Sequence, residues 1–203
     1  MLKVVGGTKA FDEHVIFQNL NLTFHSNRIY ALSGPSGSGK STLLNCIAKL
    51  EKLDDGMISF QSKDVNQIES REYFHDYIGY LFQNYALIDD TTVKTNLSLT
   101  KRYRVEQLKL ALREFGLDPA YLSRKVFTLS GGECQRVALA RMFLKDPPIV
   151  LADEPTGALD RENEELVLSS LENFSKRGKI VIVATHSQRV LNRADEVVHI
   201  KQL

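Results

Sequence analysis

Gly34-Pro35-Ser36-Gly37-Ser38-Gly39-Lys40-Ser41-Thr42 is the stretch whose reading decides the fold, because it fits the pattern G-x-x-x-x-G-K-[ST]. Glycines at these positions let successive backbone N–H groups turn inward and close around phosphate oxygens. Ser36, Gly37, Ser38, Gly39 and Thr42 form the candidate cradle. Lys40 can reach the β- and γ-phosphates, and the Ser41 hydroxyl can ligate Mg²⁺. A helix starting at the end of the loop would place its positive dipole end under the anion. The expected ligand is therefore ATP or GTP.

Working outward, the flanks supply the context that this loop requires. Arg28–Ser33 is largely apolar and runs directly into it, as a strand should. Ser41–Leu50 follows as a helix, with Leu43, Leu44 and Ile47 at helical spacing. Asn19–Phe24 alternates polar and apolar like a half-buried strand, and Met57–Phe60 reads as a short strand after an Asp54-Asp55-Gly56 turn. The middle of the chain changes character. Val105–Phe115 carries Leu108, Ala111, Leu112 and Phe115 on one helical face, with Gly116 as its stop. A second helix is expected from Gly131 to about Lys145, ended by Asp146-Pro147-Pro148. Residues 85–145 thus read as a helical insertion into one α/β domain spanning 1–203. Beyond it, Ile149–Ala152, Lys179–Ala184 and Glu196–Ile200 are apolar strands, and Arg161–Arg177 is a helix capped by Asp160. Glu162, Glu164 and Glu165 near its start suit the helix dipole, and are expected to be a solvated face rather than a metal site. Strands alternating with helices imply a mostly parallel sheet, whose ligands gather at the carboxyl ends of the strands.

Composition narrows the function classes. The 203 residues are 43% hydrophobic and 25% charged, enough for a substantial core without staples. A net charge of +1 leaves no electrostatic footprint for nucleic acid. No apolar run approaches the roughly 18–20 residues of a membrane span, and the first residues do not read as a signal peptide. Cys46 and Cys134 make neither a disulfide framework nor a metal spacing, and are expected to be free thiols.

Two further motifs carry chemistry. Ile149-Val150-Leu151-Ala152-Asp153-Glu154 is an apolar strand ending in paired carboxylates. At a strand end near the phosphate loop, Asp153 can help hold Mg²⁺ and Glu154 can polarise an attacking water. In Leu129-Ser130-Gly131-Gly132-Glu133, Ser130 and Glu133 have the spacing of a helix capping box. A helix start with two glycines and a hydroxyl is also a surface that suits a γ-phosphate.

That last motif resembles the signature LSGGQ of the ATP-binding cassette (ABC) family, with Glu133 in place of the usual Gln. The resemblance covers nearly the whole chain, from about Leu2 to Ile200. It implies an α/β fold of the P-loop nucleotide triphosphatase type: an ABC cassette with a mostly parallel core sheet, an N-terminal antiparallel β subdomain and an inserted helical subdomain. It also implies roles. Phe11 takes the place of the aromatic residue that stacks on adenine, the competing reading being a strand-edge core aromatic. Gln83 matches the glutamine that senses Mg²⁺ or water. Ala158-Leu159-Asp160 matches the loop that crosses the dimer interface, and His186 matches the switch histidine. His14, His25, His75 and His199 match nothing. Ser130, Gly131, Gly132 and Asp160 would face the ATP of a second copy, giving a homodimer that sandwiches ATP and Mg²⁺. Glu154-Pro155-Thr156-Gly157-Ala158-Leu159-Asp160 and Tyr80–Asn96 look most like the lipoprotein-release, macrolide-efflux and bacteriocin-export branch. Members of that branch work with a membrane permease from the cytoplasmic side. Tyr85–Asn96 is the expected permease contact, the alternative being that Tyr85, Leu87 and Ile88 pack only within the insertion. The other class weighed is an ABC ATPase acting on nucleic acid or ribosomes, for which the charge gives no support and no second cassette is visible.

Overall fold

The computed structural model describes residues 1–157 and 159–201. The chain opens with β1 (Leu2–Phe11), β2 (His14–Phe24) and β3 (Arg28–Ser33), followed by helix α1 (Lys40–Ile47). Next come β4 (Asp55–Phe60), the short β5 (Lys63–Asp64), the single turn α2 (Ser70–Glu72) and β6 (Ile78–Leu81). The described chain from there to residue 148 is helical, with α3 (Val93–Leu97), α4 (Val105–Glu114) and α5 (Gly131–Lys145). Then β7 (Ile149–Asp153), α6 (Arg161–Lys176), β8 (Ile180–Ala184), α7 (Gln188–Arg193) and β9 (Glu196–His199) complete it.

Two sheets result. One is antiparallel, in the order β2-β1-β4-β5. The other has five strands in the order β6-β7-β8-β3-β9, every pair parallel. The phosphate-loop strand β3 therefore lies between β8 and β9, with both faces covered, which accounts for its unbroken apolar run. Alternation sorts the side chains. Tyr30, Leu32, Leu151, Ile180 and Ile182 point into a core shared with α1 and the antiparallel sheet. Ile29, Val150, Ala152, Val181 and Val183 point into a second core shared with α4, α5 and α6. Because the side-chain period is two, β3, β7 and β8 each serve both cores, and their carboxyl ends are held from above and below.

Several expected boundaries move. The strand expected at Asn19 begins at His14, and β1, β6 and α7 were not singled out by sequence. The Asp54-Asp55-Gly56 turn is shorter than expected: β4 already starts at Asp55 and pairs with β1 at Thr8. Asp54 holds that entry, accepting the Ala10 N–H at 2.6 Å. The α1 helix stops at Ile47, three residues before Leu50. The later elements fall where expected, with α5 covering Gly131–Lys145 and α6 ending one residue before Arg177.

Candidate functional site

The parallel register brings the chemistry to one edge. Leu81 pairs with Ala152, and Asp153 pairs with Ala184, so the segments beginning at Phe82, Glu154 and Thr185 leave the sheet side by side. The phosphate loop leaves β3 at the same edge. Gly39 ends it with φ 90°, a left-handed conformation. A Cβ there would meet Ile16 Cγ2 at 2.4 Å, so glycine is required on both counts. No side chain caps α1, so its first N–H groups stay open for an anion. Lys40 is 6% exposed and its ammonium donates to the Gly34 and Pro35 carbonyls at 2.9 and 3.0 Å. The Ser38 hydroxyl is buried and has no hydrogen-bond partner among the described residues, a spare donor within the cradle. Ser36 and Gly37 are exposed at the tip, and Thr42 lies half-buried in the first turn of α1.

Beside the loop, Ser41 Oγ donates to Asp153 Oδ1 at 2.9 Å. Burial pushes the Asp153 carboxyl above the usual range, opposed by the Ser41 hydrogen bond and the Lys40 charge. A cation brought to this carboxylate would relieve that burial cost. A hydroxyl and a carboxylate are hard oxygen donors of the kind Mg²⁺ takes, and two of them leave the remaining positions to phosphate and water. Glu154 sits at φ 45°, and its N–H donates to the Ala184 carbonyl at 2.9 Å. Its carboxylate accepts the His186 N–H at 3.3 Å, and its Oε1 lies 3.5 Å from His186 Nε2. Glu154 and His186, 32 residues apart, are thus held as a pair. Gln83 is exposed just beyond β6. Phe11 ends β1, 45% exposed, with Lys9 Nζ 4.7 Å from its ring centroid. The hairpin it belongs to reaches the loop through Ile16 and Phe17, which abut Gly39. That exposure excludes Phe11 as a core residue and leaves ring surface free for a base.

A second cluster is built on helix starts instead of strand ends. Ser130 caps α5 in a reciprocal box, its Oγ accepting the Glu133 N–H at 3.3 Å and its own N–H donating to Glu133 Oε2 at 2.7 Å. The Tyr121 hydroxyl donates to Glu133 Oε1, and Arg124 lies 3.7 Å from the same oxygen. These hydrogen bonds, that from Tyr121 foremost, hold the Glu133 carboxyl below its usual range. Gly132 packs on Asn163, whose Nδ2 would lie 2.6 Å from an added Cβ. Asn163 in turn donates to both oxygens of Asp160 at 2.8 Å and accepts from Arg136 Nε at 3.1 Å. Ser130, Gly132 and Asp160 therefore share one face, beside a cleft of about 250 Å³. Gly131 is exposed at the tip, its nearest neighbour the Tyr85 hydroxyl. Ala158 of the expected interface loop lies outside the described residues. Among the described residues, no hydrogen bond or ion pair joins this face to Lys40, Ser41, Asp153, Glu154 or His186.

One expectation is corrected, and the Tyr85–Asn96 segment divides between its two readings. The acidic start of α6 is not simply solvated. Arg189 pairs with Glu164 and, at 2.9 Å, with Glu165, while Arg193 reaches Glu165 at 2.7 Å and Glu172 at 3.4 Å. Ser187 Oγ also donates to Glu164 at 3.3 Å, so the chain after His186 is tied to the helix that Asp160 caps. In the Tyr85–Asn96 segment, Tyr85 and Leu87 pack into the second core, leaving Ile88 exposed beside Asp89 and Asp90. Asn96 is fully buried: its Oδ1 accepts the Ile88 N–H at 2.8 Å, and its Nδ2 donates to the Ile88 and Thr92 carbonyls and to Thr91 Oγ1. Arg141 donates to the Tyr85 and Ala86 carbonyls. The apolar hollow lies on the near side of this strap, about 200 Å³ among Phe74, Phe82, Ala86, Leu99 and Met142.

Comparison with known proteins agrees with this geometry. Residues 17–157 match the sequence family described as ABC transporter. The chain is 35% identical, over 99% of its length, to the macrolide export ATP-binding/permease protein MacB of Vibrio parahaemolyticus, and spans 33% of that protein. It is 36% identical to an uncharacterized ABC transporter ATP-binding protein of Methanocaldococcus jannaschii, covering 99% of this chain and 93% of the relative. The dimeric structure of that cassette, MJ0796, superposes with a TM-score of 0.87 at 31% identity, covering 100% of this chain and 95% of the other. A structure of the same cassette in a post-hydrolysis state bound to ADP and Pi superposes equally well.

Proposed function

The chain belongs to the ABC transporter ATP-binding family, and on that premise we propose that it is an ATP-hydrolysing subunit that works as a homodimer and drives an export-type membrane permease. The observation that carries this reading is the division of the site. One cluster has a phosphate cradle, a place for a cation and a Glu154–His186 pair, but nothing to close over a γ-phosphate. The other has an open, capped helix start with no phosphate loop of its own. Two copies placed head to tail complete each other.

In that arrangement Lys40 and the loop N–H groups hold the triphosphate, and Phe11 offers a face to the base. Ser41 and Asp153, with Gln83 beside them, would hold Mg²⁺, which supplies charge neutralisation at the β- and γ-phosphates. Glu154 draws a proton from the attacking water, and His186 orients it near the γ-phosphate. Ser130 and Gly132 of the second copy approach the same phosphate, and Asp160 lines the interface. Closure excludes water and completes the set, so ATP favours the closed dimer over the open one. Loss of the γ-phosphate removes the bridge and lets the halves part.

No helix of the described residues is long and apolar enough to cross a membrane. The similarity to MacB, whose name joins macrolide export, ATP-binding and permease, supports a permease of the export branch; the proposed cargo is a peptide, bacteriocin, lipoprotein or drug. The hollow beside Phe74, Ala86 and Leu99, with Ile88 exposed nearby, is the proposed contact, reached from the cytoplasmic face. Glu154→Gln tests the reading: ATP binding persists, turnover falls roughly 10²- to 10⁴-fold, the range for a lost general base, and an ATP-dependent dimer accumulates. Undiminished turnover removes Glu154 from that role. Co-purification of the chain with an integral-membrane protein tests the permease.

A further inference from the structure

The signature segment places a carboxylate, Glu133, in the first turn of α5, next to the residues that would meet a triphosphate. A bare charge there would repel the phosphate that Ser130 and Gly132 are shaped to receive. The structure shows what becomes of it. One oxygen, Oε2, is turned back onto the Ser130 N–H at 2.7 Å. The other, Oε1, takes the Tyr121 hydroxyl and faces Arg124 at 3.7 Å. Both partners are themselves fixed. Tyr121 sits in a 3₁₀ turn, Pro119–Ser123, that Asp118 caps through the Ala120 N–H at 2.7 Å. Arg124 lies 4.4 Å over the Tyr121 ring and donates to the Thr128 carbonyl at 2.8 Å. Neither the turn nor the arginine belongs to the signature motif, yet together they occupy the oxygen that the capping box leaves free.

We propose that Tyr121 and Arg124 are positioning residues for the signature half-site: they hold Glu133 folded back and compensated, so that Ser130 and Gly132 present an uncharged helix start to the ATP bound by a second copy. This rests on the reading of Ser130-Gly131-Gly132 as the face that closes over a partner's nucleotide. It explains how a carboxylate can stand where an amide is usual. An amide carries no charge to compensate, so with Gln at 133 the same two neighbours become dispensable.

The test is a double-mutant cycle measured in the Glu154→Gln background, where ATP-dependent dimers accumulate. Tyr121→Phe removes one hydroxyl and keeps the ring. It should raise the ATP concentration needed for dimerisation roughly tenfold, the low end for a hydrogen bond to a charged group. ATP binding to the single subunit, read with a fluorescent ATP analogue, should stay within about twofold. Arg124→Gln should act in the same direction, with an effect that shrinks in high salt. Adding Glu133→Gln should restore dimerisation to within about twofold of the Glu133→Gln parent. An equal Tyr121→Phe defect with Glu or Gln at 133 would show a packing role only and overturn the proposal, as would no defect at all. Ser130→Arg is measured in parallel. If it still gives normal ATP-dependent dimers, the sandwich reading itself is wrong, an outcome distinct from failure of the cycle.

Discussion

The phosphate-loop edge and the signature face are built by opposite means. The first is assembled at strand ends, where both cores grip the backbone and the key groups already have partners. Lys40 is bonded to loop carbonyls, Ser41 to Asp153, and Glu154 to the His186 backbone. The second rides on two helix starts whose first turns are fixed by side-chain caps, the Ser130–Glu133 box and the Asp160–Asn163–Arg136 chain. A half-site that captures ligand unaided needs a rigid, preformed cradle. A half-site that only recognises an occupied partner can be exposed and adjustable, because the partner supplies the rest of its surroundings.

The contrast can be broken most directly at its two lead residues. Lys40→Ala removes a buried charge from the cradle and should weaken ATP binding by a single subunit at least roughly 30-fold, from the several kcal/mol such groups are worth. Ser130→Arg should leave that binding within about twofold and abolish ATP-dependent dimerisation. Equal losses in both variants, by calorimetry and size-exclusion chromatography, would mean that the two faces are one site. A smaller effect separates rigid from adjustable. Gly39→Ala forces a left-handed alanine against Ile16 and should cost about 2–4 kcal/mol of stability in a urea melt. Gly132→Ala needs no left-handed backbone and displaces only the Asn163 side chain with its bonds to Asp160 and Arg136, so it should cost less, about 1–2 kcal/mol. The smallest test concerns the far end of the signature helix. There Lys145 is pushed down to about 8, burial being the main cause and the Arg141 charge the second. With its folded value below the unfolded one, the unfolded chain binds more protons between about pH 8 and 10.5, and stability contributed by this group rises across that window. Lys145→Met should flatten that rise, measured by urea unfolding at the two pH values.

Reading the sequence recovers the first edge better than the second. The β3–loop–α1 unit was legible because its motif is local and its strand is apolar on both faces. The Asp153–Glu154 pair was legible because it closes such a strand. What escaped depends on contacts distant in sequence or on elements too short to show a period. β6 has four residues and a glycine, Gly79, which looks like a breaker; the structure uses it because Met142 and Pro147 crowd the place where a Cβ would stand. α7 has six residues, so its arginines gave no sign that they answer the α6 carboxylates 21 to 28 residues away. Tyr121 lies in a 3₁₀ turn without periodicity, 12 residues before the carboxylate it serves. The resemblance pointed to Ser130, Gly132 and Asp160, but Asn163, which joins the last two, belongs to no motif.

The buried amide of Asn96 has a mechanical consequence. A surface loop normally yields under load, because its backbone is held by water that exchanges freely. Here one side chain clamps the Ile88 N–H and carbonyl and also Thr91 and Thr92, while Arg141 fastens Tyr85 and Ala86 to α5. A push delivered at the exposed Ile88 is therefore carried as displacement of α3 and α5 rather than absorbed as bending. The strap is also tied to the chain that leads into α5, because Thr91 and Asp89 accept the Val126 and Phe127 N–H groups and the Tyr85 hydroxyl lies beside Gly131, so the exposed Ile88 and the start of α5 belong to one stiff unit.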